Sequence, residues 1–111
     1  MYWYKIVDKD SKGRFRTLFH GVAGNRQMPR GWWIRSEQKY VRDGSKGTPY
    51  KSGWHVMMNL DECEAYLSRF TAKDVERVIV KVDVKGKIWP KEHSPHNVHL
   101  SEYIKVIGEV E

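Results

Sequence analysis

Cysteine is nearly absent from this chain of 111 residues, where Cys63 stands alone. A single thiol excludes an intramolecular disulfide and any zinc cluster built on cysteines. Long apolar runs are also missing: none approaches the roughly 18 residues that a membrane-crossing helix requires. The opening residues Met1-Tyr2-Trp3-Tyr4-Lys5 lack the apolar centre of a secretory signal, so the cytoplasm is the expected compartment. No internal repeat or low-complexity tract is visible. A phosphate-binding P-loop is lacking too. Gly44-Ser45-Lys46-Gly47-Thr48 has neither the P-loop spacing nor an adjoining helix, and reads as a flexible turn.

Acidic residues are scarce in one half only. Residues 1–53 hold twelve Lys/Arg against four Asp/Glu, whereas residues 54–111 hold eight against ten. The isoelectric point near 9.5 favours attraction to polyanions. Length and composition describe a single globular domain, residues 1–111, with a basic stretch over residues 24–53. That stretch includes Arg26, Arg30, Trp32, Trp33 and Arg35, and it holds five of the nine glycines. Arginines clamp phosphates bidentately and indole rings stack on bases, so the pattern suits a partner with phosphates and bases. The alternative is a solvated basic surface with one tryptophan in the core. Neighbouring strand residues point to opposite sides, so Trp32 and Trp33 are not expected to be buried together.

Hydrophobic periodicity predicts an α+β fold, with a mostly antiparallel sheet of five or six strands and one main helix packed on one face. Tyr2–Val7 and Arg14–Val22 read as strands that can pair as a hairpin across the turn Asp8–Gly13. Trp32–Ile34 reads as a short strand. Gly53–Met58 reads as a strand leading into a helix capped by Asn59, with Glu62 placed to reach back. Leu60, Cys63, Leu67 and Phe70 fall on one face of that helix. Arg77–Lys85 is the clearest strand. Its Val78, Val80, Val82 and Val84 share one face, and Ile79, Lys81, Asp83 and Lys85 share a mostly solvated one. Gly86 is expected to turn the chain before Ile88-Trp89. Glu102–Val110 closes the sequence as a strand with Ile104, Val106 and Val110 on one side. His93, His96 and His99 have a spacing that would converge on a helix, but Pro95 and its polar neighbours favour a loop, so no metal site is expected.

Three segments carry a resemblance. Phe19-His20-Gly21-Val22 ends an early strand. Gly53-Trp54-His55-Val56-Met57 precedes a helix containing Ala65-Tyr66. Ser101-Glu102-Tyr103-Ile104-Lys105-Val106 opens a late strand. This order resembles the poly-ADP-ribose-polymerase-like branch of the ADP-ribosyltransferase fold. The resemblance implies NAD as cofactor, with His20 and Gly21 holding the nicotinamide ribose and amide, His55 at the stacking position and Glu102 as the catalytic carboxylate. The C-terminal half, Gly53-Trp54-His55 through Gly86 and then Tyr103 to Gly108, is also similar to a loose class of small phage accessory proteins, which often neutralise host defences.

These observations converge on a binding protein with no cofactor, for which catalysis is not the expected role. Its expected ligand is a phosphate-bearing nucleotide, sequestered as a host immune signal. Arg26, Arg30 and Arg35 would neutralise phosphates, Trp32 or Trp33 would stack, and His20 and His55 would donate hydrogen bonds. One alternative is an inhibitor that grips nucleic acid or a host defence protein through the basic face. Another is a degenerate or active mono-ADP-ribosyltransferase using His20, His55 and Glu102. An exposed tryptophan would also suit a homo-oligomer interface.

Overall fold

The computed structural model describes residues 2–17, 27–36, 40–41, 50–68, 76–91 and 97–110. Its elements are β1 (Trp3–Lys9), β2 (Phe15–Arg16), β3 (Trp33–Arg35), β4 (Tyr40–Val41), β5 (Tyr50–Lys51), β6 (Trp54–Met57), α1 (Leu60–Leu67), β7 (Glu76–Pro90) and β8 (Val98–Glu109). β4 and β5 form a small pair of their own, and the other six strands form one sheet whose strand pairings are all antiparallel. The α+β expectation holds at this level.

The sheet bends back on itself. β1 pairs β7, β7 pairs β8, β8 pairs β6, and β6 returns to β1 through Tyr4 and Met57. Closing the circuit leaves fewer unpaired strand edges than an open sheet would. β2 joins the end of β1, as the expected hairpin, and β3 lies along the middle of β8. The hairpin turn is set by Asp10, whose carboxylate accepts from the backbone N–H groups of Lys12 and Arg14, and by Gly13 at φ 78°. The Arg14 backbone N–H, with the Arg16 and Lys12 donors behind it, holds the Asp10 carboxyl down at about 2.

Two apolar layers follow from strand alternation. The inner one joins Val7, Phe15, Met28, Trp54, Val56, Val78, Val80, Val82, Ile104 and Val106. Fully burying a side chain of this size stabilises by roughly 1.5–3 kcal/mol. The outer layer lies under α1, where Cys63 meets Ile6, Met57, Ile79 and Val98, with Leu60, Tyr66 and Leu67 packed against them. Asn59 caps the helix, its side-chain oxygen accepting from the Glu62 N–H at 3.0 Å. Glu62 itself takes a hydrogen bond from Asn97, 3.0 Å away, so its carboxylate ties the helix to the start of β8.

Three sequence expectations are corrected. Gly86 does not turn the chain. β7 runs through it, and the φ of 78° serves a bulge that shifts the register between Lys85↔Tyr103 and Ile88↔Ser101. Ile79 is not on a solvated face, because the helix covers that end of β7. Val110 does not share a side with Ile104 and Val106. An extra residue in β8 between Val106 and Gly108 reverses the alternation, and Val110 packs with the outer layer. Leu18–Val22, Phe70 and Gly44–Thr48 lie outside the described residues.

Candidate nucleic-acid interface

β7, β8 and β3 lie side by side, and beyond the end of β7 that α1 covers their outward residues form one open face, with Tyr2 at its edge. The register sets Lys85, Tyr103 and Arg35 in one row across β7, β8 and β3, and Asp83, Lys105 and Trp33 in the next. Beneath these rows Val84, Ile104 and Ile34 pair on the core side. The alternation that buries the aliphatic residues therefore pushes the lysines and rings outward.

Cations gather on the rings. The Lys85 ammonium lies 5.0 Å from the Tyr103 ring centre and reaches diagonally to 4.5 Å from that of Trp33. The Lys105 ammonium stands 4.9 Å from the same indole. Further across the face, the Lys81 ammonium is 5.5 Å from the Tyr2 ring. Each such contact contributes roughly 0.5–1 kcal/mol at an exposed site.

Glu102 tempers this charge at one border. Its carboxylate accepts from the Lys87 N–H at 3.2 Å and stands 3.6 Å from the Arg35 guanidinium. Gly86 is the reason it fits, since a Cβ there would run into the Glu102 carboxylate. At the other border a shallow groove of about 340 Å³ is lined by Lys81, Ile107, Gly108, Glu109 and Val110.

The expected site residues are spread out. Trp33 and Arg35 belong to the face, and both tryptophans of the pair are exposed, Trp32 at 69% and Trp33 at 38%. Arg30 is exposed with its guanidinium 5.1 Å from the Phe15 ring, and it bridges to Val106 through its backbone. His55 lies elsewhere, opposite Leu100 on β8, five residues or about 17 Å along the strand from the Trp33 partner Lys105. Its Nε2 is 3.1 Å from the Lys91 ammonium, and its carbonyl accepts from Lys5 at 3.0 Å. His20 and Arg26 lie outside the described residues, as do His93 and His96. His99 is in β8, its ring edge-on to Trp3 with centres 5.4 Å apart. Among the described residues no group of His, Cys, Asp and Glu is arranged to hold a metal ion.

Cys63 is fully buried, and burial pushes its thiol up to about 12, so it is a packing residue and not a nucleophile. Lys5 is also buried, and desolvation draws its ammonium down to about 8.

Sequence reasoning passed over Lys81, Lys85, Tyr103 and Lys105. Their alternation against valine and isoleucine was visible, yet alternation says only that a face is not core. Comparison with family models, curated proteins and solved structures finds no match.

Proposed function

We propose that this protein binds nucleic acid through the open outer face of β7, β8 and β3. The observation that carries this reading is the gathering of the Lys85 and Lys105 ammonium groups on Trp33, with Tyr103 and Arg35 beside them. Rings offer stacking surface and lysines offer phosphate contacts, and the two occur together where a polynucleotide is held. An extended polyanion suits this face better than a lone nucleotide, because its cations spread over three strands instead of converging on one phosphate.

The test is binding of a labelled oligonucleotide across a salt series. With Lys81, Lys85, Lys105 and Arg35 in reach of phosphates, log K for a single-stranded oligonucleotide is expected to fall against log salt with a slope near −3. Lys85→Glu with Lys105→Glu should abolish binding while the fold persists. Absence of binding at low salt, or retention by that double variant, overturns the reading and returns the question to a protein partner or a small nucleotide.

A further inference from the structure

The face described above discriminates between forms of nucleic acid, and this step rests on the nucleic-acid reading. We infer that its ligand is a single strand, and that Lys85 occupies in the free protein the ring surface that a base takes on binding.

The argument begins with shape. In a duplex the bases are stacked on one another and present only their edges in the grooves. The major groove admits a helix or a two-stranded ribbon, and not the flat of a wide sheet. Trp33 and Tyr103 stand on such a sheet, on neighbouring strands and in adjacent rows. Rings so placed can meet a base only by its face, which requires the base to be unstacked. Three strands at the usual spacing span about 10 Å from β7 to β3. The two rings offer stacking surface for about two bases.

The lysines set the second part. Lys85 does not point straight out from its row. Its side chain crosses Tyr103 to reach Trp33, so one cation covers parts of both rings. A lysine side chain is long and flexible, and its contact with an exposed ring is weak enough for a base to displace it. Once displaced, its ammonium lies beside the backbone of the strand whose base has taken its place. The cations would then read phosphates and the rings would read any base, so binding is indifferent to sequence.

The deciding experiment compares a 12-nucleotide oligo(dT) with a 12-base-pair duplex by fluorescence anisotropy, at one low salt concentration, using the full chain. The single strand should bind at least about tenfold more tightly, the loss expected when one base–ring stack is missing. Trp33→Ala should bring the single strand down to the level of the duplex. Trp33→Phe, which keeps a ring, should retain most of the preference. Lys85→Gln should keep the preference while making the salt slope shallower by about 0.7, one phosphate contact on a single strand. Circular dichroism of each variant checks that the fold is intact. Equal binding of both polymers, with Trp33→Ala affecting neither, overturns the single-strand inference and leaves the nucleic-acid reading standing. Binding of neither polymer overturns both.

Discussion

β7 and β8 present two opposite faces from one pair of strands. Inward, Val80, Val82, Ile104 and Val106 are sealed from water at 0% exposure. Outward, Lys81, Lys85, Tyr103 and Lys105 alternate with them and hold cations over rings. The backbone hydrogen bonds serve both faces equally. The difference teaches that stability and binding are written into this sheet on alternate residues, and can be altered separately.

The largest effect should come from the inward face. Ile104→Ala removes a fully buried side chain from the inner layer and should cost about 2–5 kcal/mol in urea denaturation. Lys105→Ala, the next residue along, should cost no more than about 1 kcal/mol, the loss of one exposed cation–ring contact, while weakening oligonucleotide binding. Similar losses of stability in both variants would break the division between faces.

A smaller loss tests the bulge that keeps the two faces aligned. Gly86 adopts a φ of 78° and lies against the Glu102 carboxylate. Gly86→Ala meets a left-handed backbone penalty of about 1–2 kcal/mol and displaces Glu102, which should also loosen Arg35. A thermal melt coinciding with the parent's would mean that the bulge tolerates a side chain.

The smallest effect concerns the lysine that this sheet buries. Lys5 titrates at about 8 in the folded chain against 10.5 in the unfolded one, so unfolding takes up a proton between those values and stability rises with pH there. Cys63 titrates at about 12 against 9.0, so unfolding releases a proton above 9 and stability falls. Stability should therefore climb from pH 8 to 9 by on the order of 1 kcal/mol, stay level to about 10.5, and then decline. In Cys63→Ala the climb should continue to about 10.5. Denaturation midpoints measured across this range, with and without Cys63, check the sign of each contribution.

How much of this was legible beforehand varies with the range of the interaction. The helix was readable because its signals are local: Asn59 caps it and Cys63 marks its buried face. Val78–Val84 were readable because a period of two needs no partner. Gly86 suggests a turn because a glycine at positive φ serves turns and bulges alike. The extra residue between Val106 and Gly108 has no local mark at all, so alternation alone puts Val110 on the wrong side. The candidate site was the least legible. Charge counted by segment pointed to residues 24–53, while the ring–cation cluster draws Trp33 and Arg35 from the basic half and Lys85, Tyr103 and Lys105 from the acidic one. Register brings those residues together, and register depends on pairings between strands far apart in the chain.

The closed circuit of strands also orders events during synthesis. β1 is made early, yet its long partnership joins Lys9 to Glu76 and Trp3 to Val82, and the circuit needs β8 as well. At about 5–20 residues per second, a ribosome leaves β1 without those partners for several seconds. During that interval Tyr4, Ile6 and Val7 form an unpaired aromatic and aliphatic strand, which is the kind of segment that chaperones capture. The nascent chain, before the last strand is released, is the stage at which this protein is most exposed to misassembly.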